Sequence, residues 1–294
     1  MTQNTHIKIY EVGPRDGLQN EKQIIPTGQK LALIAKLADA GLKYIEATSF
    51  VSPKWVPQMA DHNDIMHALR NKDDGVTYAA LVPNDKGMAN AVHCGVKEVA
   101  VFAAASEGFS RKNINCTIAE SIARFEPVLQ TAKAEQIAVR GYVSCVAGCP
   151  YDGDVPVESV VAVSRQLYEM GCYEISLGDT IGIGRPAQIT DIITAVSDYV
   201  PPEHIALHCH DTHGRALDNI KAALACGVRV FDSAAGGLGG CPYAEGASGN
   251  VATDAVVKML HESGYETSID LDKLHAITNF IRNEMNIEQR ETCT

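Results

Sequence analysis

Two histidines, His208 and His210, lie two residues apart at the end of an apolar run and could share one metal ion. Side chains at positions i and i+2 of a β-strand point to the same face, so both imidazoles face one way and Cys209 faces the other. Asp16 follows the first apolar run, and Asn250 follows the glycine-rich segment near the last one. Two imidazoles, a carboxylate and an amide oxygen suit Mg²⁺ or Mn²⁺ with open water positions better than closed four-coordinate zinc. The alternative interpretation is an ordinary pair of polar residues at a strand end.

Arg15, beside Asp16, carries a guanidinium that could act on a carbonyl group. Such a group is costly to bury without a partner, and it stabilises negative charge on carbonyl or carboxylate oxygens. Glu46, in the second apolar run, and Asp179, at the end of the sixth, are candidates to orient it. A structural ion-pair network is the alternative interpretation for these two acids.

Cys241 follows segment 235–240, which has four glycines in six residues. Glycines at this density permit unusual backbone angles or a mobile loop. A thiol carried by such a loop above a metal site could give or take a proton. Cys94, Cys172 and Cys226 instead lie on apolar helical segments or just beyond them, which is typical of cysteines in a packed core.

These residues are positioned by short apolar runs that alternate with segments of helical spacing along the chain. Eight runs rich in Val, Ile and Ala are predicted as strands. They span residues 7–13, 44–50, 77–82, 98–105, 138–146, 173–178, 205–210 and 228–233. The helical segments include residues 29–40, 85–94, 118–133, 158–170, 216–226 and 251–261, and an extra helix is predicted over 271–285.

Eight such units in about 250 residues predict an α/β fold, a closed (β/α)8 TIM barrel, with an additional C-terminal helical segment. A Rossmann sheet is the competing architecture, but no G-x-G-x-x-G follows the first strand, and eight units would be many for it. We expect one catalytic domain over residues 1–294, with 265–294 as a C-terminal extension. The active site of such barrels lies at the C-terminal strand ends, where the residues above fall.

The composition disfavours several classes of protein. With 46% hydrophobic and 21% charged residues, the chain has the composition of an ordinary globular protein. No stretch approaches the ~20 apolar residues of a membrane span. The formal net charge of −11 disfavours binding to nucleic acid. Nine cysteines are too few for a disulfide scaffold, and no targeting pattern is visible, so we expect free thiols in a cytoplasmic protein.

The motifs together resemble one superfamily. The Arg-Asp pair, the H-x-H and the later Asn resemble the DRE-TIM metal-dependent lyases and Claisen condensing enzymes, although this chain reads Arg15-Asp16-Gly17 rather than Asp-Arg-Glu. Within that superfamily, GPRDGLQNE at 13–21, TSFVSPKWVPQM at 48–59 and GGLGGCPYA at 236–244 resemble the 3-hydroxy-3-methylglutaryl-CoA (HMG-CoA) lyase family.

The resemblance implies cleavage of (S)-HMG-CoA to acetoacetate and acetyl-CoA, as in leucine degradation and ketone-body formation. It implies a divalent cation, Mg²⁺ or Mn²⁺, on four ligands: Asp16, His208, His210 and Asn250. It also implies that Arg15 binds the thioester carbonyl oxygen, that Cys241 is the catalytic thiol, and that Glu46 and Asp179 support the cluster. The first proton acceptor stays open among His208, Asp179 and the thiol.

An acyl-CoA substrate would need local positive charge on this acidic chain. Arg15, Gln19, Lys54 and Lys112 are the expected substrate contacts, with Lys54, Arg111 and Lys112 near the CoA phosphates. The family likeness implies a homodimer or larger assembly. Two other functions remain possible: a related condensing enzyme or 4-hydroxy-2-oxoacid aldolase, and a non-catalytic metal-binding barrel.

Overall fold

A computed structural model of the chain describes residues 5–240 and 249–288. Its eight strands form a closed barrel in which each strand pairs in parallel with its sequence neighbours and the eighth pairs with the first. The predicted (β/α)8 barrel is therefore confirmed. The strands are β1 Lys8–Glu11, β2 Tyr44–Ser49, β3 Thr77–Leu81, β4 Glu98–Ala104, β5 Ala138–Ser144, β6 Glu174–Asp179, β7 Ile205–Cys209 and β8 Val230–Ser233.

Ten α-helices lie in the described part of the chain. They are α1 Thr27–Asp39, α2 His62–Leu69, α3 Asp85–His93, α4 Glu107–Ile114, α5 Ile118–Ala134, α6 Val157–Glu169, α7 Pro186–Ser197, α8 Ala216–Ala225, α9 Thr253–Glu262 and α10 Leu271–Asn283. The sequence prediction did not name α2, α4 or α7. The predicted extra helix is α10, which packs against α1.

Local signals in the sequence explain where several of these helices begin and end. A glycine with positive φ follows four of them, which lets the chain leave the helix: Gly41, Gly95, Gly171 and Gly227. At the start of α5, the Thr117 hydroxyl accepts the Glu120 N–H at 3.1 Å, and the Glu120 carboxylate accepts the Thr117 N–H at 2.8 Å. This is the predicted capping box.

The first predicted strand extends past its observed end, because the chain turns before Gly13. Residues Gly13–Gly17 form a short helical turn, in which the N–H groups of Arg15, Asp16 and Gly17 all approach the Val12 carbonyl, at 2.7 to 3.2 Å. Strand β1 therefore ends at Glu11 rather than at residue 13. The turn places Arg15 and Asp16 at the C-terminal end of the barrel.

The apolar core lies between the strands and the helices, whereas much of the barrel interior is polar. Hydrogen bonds cross this interior, for example from the Tyr10 hydroxyl to Glu98 at 2.6 Å. The seven cysteines within the described residues are all free thiols. None of the described helices has the length and apolarity that crossing a membrane requires.

Candidate metal and active site

Three predicted metal ligands come together at the C-terminal end of the barrel. Asp16, His208 and His210 each offer one ligand atom, and these atoms lie within 4.8 Å of one another. Asp16 comes from the turn after β1, His208 from β7 and His210 from the residue directly after β7. Barrel closure explains the convergence, since β8 pairs with both β1 and β7.

The fourth predicted ligand, Asn250, also reaches the cluster. Its Nδ2 donates to Asp16 Oδ2 at 2.9 Å and to the Leu238 carbonyl at 3.2 Å. Its Oδ1 is buried and has no hydrogen-bond partner among the described residues, and the same is true of Nδ1 of His210. Buried polar atoms are normally paired, and a divalent cation would satisfy these acceptors beside the Asp16 carboxylate. The residues present therefore fit a divalent cation.

The Arg15 guanidinium is fixed from three sides. Its Nε and Nη2 each lie 2.7 Å from Glu46 Oε2, and its Nη1 pairs with Asp16. It lies 5.6 Å over the Tyr142 ring, whose hydroxyl donates to the same Glu46 oxygen at 3.2 Å. Burial alone would lower the pKa of Arg15, but the charges of Glu46 and Asp16 outweigh it, so the pKa is raised.

The charge state of the cluster suits cation binding. Burial would raise the pKa of Asp16, but Arg15 and the histidines outweigh burial and bring the pKa to about 2. Burial and the neighbouring His208 lower the pKa of His210 to about 4. At neutral pH, Asp16 is thus an anion and His210 a neutral imidazole, the forms in which both can ligate a metal.

Asp179 does not hold Arg15, which corrects part of the sequence interpretation. Its buried carboxylate accepts the N–H groups of Ile183 at 3.2 Å and Gly184 at 2.9 Å, and so it orders the loop after β6. Burial raises the pKa of Asp179 to about 6, against the lowering effect of these backbone bonds. The described partners that orient Arg15 are Glu46 and Asp16.

Sequence reasoning missed a carboxylate that touches the cluster from within the barrel. Asp232 Oδ2 lies 3.3 Å from His208 Nδ1, and both carboxylate oxygens contact the Arg140 guanidinium, at 2.6 and 3.1 Å. Glu174 accepts from Arg140 Nε at 2.7 Å. The available signal was the presence of charged residues, Asp232 and Arg140, inside predicted strands.

A second unpredicted carboxylate, Glu11, joins the first and last strands beside the site. Its Oε1 accepts the N–H groups of Gly13 at 2.8 Å and Ala235 at 2.9 Å, and its Oε2 accepts the Thr253 hydroxyl at 2.7 Å. Burial raises the pKa of Glu11 to about 7, although these three hydrogen bonds lower it. Glu11 thus ties the turn that carries Arg15 to the start of the glycine-rich segment.

The glycine-rich segment packs directly against the metal cluster. Gly239 has a φ of +97°, and a Cβ there would lie 2.9 Å from Asn250 Nδ2. A Cβ on Gly17 would lie 2.6 Å from the Cβ of Leu238. Glycine at both positions permits this close approach. Cys241, which follows the segment, lies outside the described residues.

The predicted CoA contacts lie at the protein surface. Lys54 is exposed between β2 and α2, and Lys112 and Arg111 are exposed on α4. Arg111 lies 3.6 Å from Glu107 on the same helix. Gln19 is half-buried just after the turn that carries Arg15. The structure brings none of the three exposed cations into the metal cluster.

Comparisons with known proteins all indicate the same family. The family model described as HMGL-like matches residues 6–281. The rat mitochondrial hydroxymethylglutaryl-CoA lyase is 57% identical over 280 residues, which cover 95% of this chain and 86% of the relative. The rat cytoplasmic 3-hydroxy-3-methylglutaryl-CoA lyase is 54% identical over 281 residues, which cover 96% and 82%.

A solved structure agrees with the family match. The HMG-CoA lyase of Acinetobacter baumannii, in complex with coenzyme A and 3-methylmalate, superposes with a TM-score of 0.92 at 35% identity, covering 100% of this chain and 95% of the other. The family model extends over nearly all of the barrel and most of α10. This chain therefore belongs to the HMGL-like family, among the hydroxymethylglutaryl-CoA lyases.

Proposed function

We propose that this chain cleaves (S)-HMG-CoA to acetoacetate and acetyl-CoA. The observation that carries the proposal is the convergence of Asp16, His208 and His210 on one point, with the fixed Arg15 guanidinium paired to Asp16. Family membership and the coenzyme A complex of a relative support a CoA thioester as the substrate.

The reaction creates negative charge at two places. The C3 hydroxyl loses its proton, and the oxygen electrons form the ketone of acetoacetate as the C2–C3 bond breaks. The electron pair of that bond moves onto the departing acetyl-CoA as an enolate, and C2 then takes up a proton. A catalyst must stabilise the C3 oxygen and the enolate oxygen as these charges develop.

Asp16, His208, His210 and Asn250 would hold a divalent cation. Their mixture of oxygen and nitrogen donors suits Mg²⁺ or Mn²⁺. When bound, such an ion supplies positive charge that lowers the pKa of a coordinated hydroxyl group. Two features of this chain favour the binding: the anionic Asp16, and Asn250 Oδ1, which has no hydrogen-bond partner in the described part of the chain.

Arg15 stabilises the second charge, on the thioester oxygen that becomes the enolate. Glu46 and the Tyr142 ring already fix its guanidinium, so little reorganisation is needed when the charge develops. An arginine also stays protonated at every working pH. Gln19, directly after the same turn, is a further proposed substrate contact.

Two proton transfers remain for residues of this chain. We propose that Cys241 exchanges a proton with the substrate near C2, because the segment that leads to it packs on Asn250. The C3 hydroxyl proton has three candidate acceptors: Asp179, His208 and the thiol. A pKa of about 6 leaves Asp179 mostly ionised at neutral pH, as a general base requires.

The remaining proposals concern the surroundings of the enzyme. Lys54, Arg111 and Lys112 are proposed to contact the CoA phosphates, since they are exposed cations on loops and helices that follow β2 and β4. The relatives include both mitochondrial and cytoplasmic forms. We propose a cytoplasmic location and a homodimer or larger assembly for this chain.

The test is an acetoacetate assay with purified protein, (S)-HMG-CoA, a thiol reductant and either Mg²⁺ or Mn²⁺. We expect acetoacetate and acetyl-CoA in equal amounts, with product formation abolished by a chelator and restored by added cation. Parallel reactions with a 4-hydroxy-2-oxoacid test the aldolase alternative. A folded, metal-loaded protein that releases no acetoacetate would refute the proposal.

A further inference from the structure

Asp232 connects the metal cluster to the buried ion pairs of Arg140 in the barrel interior. Residues His208 of β7 and Asp232 of β8 are partners in the strand register, so their side chains lie side by side in the interior. The Asp232 carboxylate is 1% exposed and contacts three donors besides His208: both terminal nitrogens of Arg140, and the Ser176 hydroxyl at 2.8 Å. The Arg140 contacts hold the carboxylate as an anion.

This geometry decides which His208 nitrogen carries the proton. An ionised carboxylate only accepts hydrogen bonds, so the Nδ1 that lies 3.3 Å from Asp232 Oδ2 must be the protonated nitrogen. The lone pair of a neutral His208 is then on Nε2. The Tyr142 ring lies edge-on to the imidazole, with ring centroids 6.3 Å apart and an interplanar angle of 84°.

His210 provides a contrast within the same cluster. Its Nδ1 is buried, and within the described residues it has no hydrogen-bond partner. No described carboxylate contacts this nitrogen, whereas Asp232 contacts Nδ1 of His208. The two histidines share a site but are held in different ways.

We propose that Asp232 is a positioning residue that fixes the tautomer and the ring plane of His208, so that Nε2 is presented to the cation. The inference rests on the proposed function for the presence of the cation and extends it to a residue that does not touch substrate. In carboxylate–histidine–metal arrangements of this kind, mutation of the carboxylate typically weakens metal binding about 10- to 100-fold.

Asp232→Asn is the informative substitution, because it keeps the size of the side chain and changes its hydrogen bonding. The amide oxygen can still accept from Arg140. The amide nitrogen, turned toward His208, would donate to Nδ1 and so place the imidazole proton on Nε2, which removes the lone pair that the metal needs. Glu174→Gln is the matched control, since Glu174 binds Arg140 at 2.7 Å without a described contact to His208.

The experiment is a titration of the full chain with Mn²⁺ in the absence of substrate. Electron paramagnetic resonance measures the concentration of free Mn²⁺ at each step. We expect Asp232→Asn to bind Mn²⁺ roughly 10- to 100-fold more weakly than the wild type. Glu174→Gln should stay within about threefold. A folded Asp232→Asn protein with wild-type affinity would overturn the proposal, as would an equal loss in Glu174→Gln.

If Asp232→Asn does not fold, a second measurement on the wild type tests the tautomer of His208. ¹⁵N chemical shifts of labelled histidines in the metal-free wild type report the tautomer, and the His208 signal is assigned by its absence in His208→Gln. We expect a proton on Nδ1 of His208, and a proton on Nε2 alone would contradict the inference. Neither readout needs turnover, so a failed acetoacetate assay would not be confused with a failure here.

Discussion

The barrel interior contains two polar layers with different properties. The mouth layer, at the C-terminal end, consists of Arg15, Asp16, Glu46, His208, His210 and Asn250. The floor layer, deeper in the barrel, consists of Tyr10, Glu98, Arg140, Glu174, Ser176 and Asp232. The floor layer is buried throughout, whereas Asp16 and His208 of the mouth layer are partly exposed. Of the two layers, only the mouth layer contains buried atoms without hydrogen-bond partners in the described chain: Glu46 Oε1, His210 Nδ1 and Asn250 Oδ1.

The difference shows where polarity serves binding and where it serves the fold. Each layer contains one buried arginine between two carboxylates. Arg140 is completely buried, pairs with Glu174 and Asp232, and lies 4.1 Å over the Tyr10 ring. Arg15 pairs with Glu46 and Asp16, next to the unpartnered atoms. Within the described chain, the paired groups of the floor layer have no unpaired buried acceptor left for a ligand, whereas the unpaired atoms beside Asp16 are available to bind one.

The largest expected effect is on folding, when the floor-layer arginine is removed. Arg140→Met leaves the carboxylates of Glu174 and Asp232 buried without their cation. Breaking a buried ion pair in this way costs about 3–5 kcal/mol. Urea denaturation should show that loss in the free energy of unfolding. A loss below about 1 kcal/mol would mean that the floor layer does not stabilise the fold.

The matching change in the mouth layer should affect turnover more than folding. Arg15→Gln keeps a donor near the substrate but removes the charge, and we expect kcat to fall about 10²- to 10³-fold. Burial already raises the pKa of Glu46, so this carboxyl can take up a proton when Arg15 is absent. Kinetics and urea denaturation on the same preparation check the prediction. Unfolding of the variant would instead assign Arg15 a structural role.

The next effect concerns Glu11, which borders the mouth layer and has a pKa of about 7 against an ordinary value of 4.5. Between these values the folded chain binds more protons than the unfolded chain, so the contribution of Glu11 is greatest at acidic pH and is lost as pH rises to 7. The loss is about 3 kcal/mol at 1.36 kcal/mol per pKa unit.

Glu11→Gln should remove that pH dependence. The free energy of unfolding of the variant, relative to wild type, should rise by about 3 kcal/mol between pH 4.5 and 8. Urea titrations at several pH values measure it. Identical pH profiles for the two proteins would show that Glu11 titrates at its ordinary pKa.

The smallest expected effect lies outside both layers and provides a baseline. Thr117→Ala removes the hydroxyl that accepts the Glu120 N–H at the start of α5. Loss of one helix cap should lower the melting temperature by about 2 °C. Turnover and Mn²⁺ affinity should not change. A clear loss of either one would show that α5 is coupled to the site.

The fold and the mouth layer follow from signals that the sequence displays locally. Apolar runs alternate with helical segments, and glycines such as Gly41 and Gly171 end the helices. Asp16, Asp179 and His210 are visible because they are polar residues at or just beyond the ends of apolar runs. The topology of a closed barrel then brings the first and seventh runs close together.

The floor layer could not be predicted in the same way, because its partners are set by barrel closure. Asp232 and Arg140 are 92 positions apart, so the sequence around each residue does not show its partner. The correction at Asp179 has a similar cause: whether its carboxylate binds Arg15 or backbone N–H groups depends on the path of the loop after β6.

The central claim is that residues from the turn after β1, from the end of β7 and from the segment after β8 surround one divalent cation. Anomalous X-ray diffraction from crystals grown with Mn²⁺ tests it most directly, because the scattering locates the ion independently of any assumption about its ligands. We predict one manganese peak per chain, bonded to Asp16, His208, His210 and Asn250. A peak elsewhere in the chain, with these four side chains bound to no ion, would contradict the account.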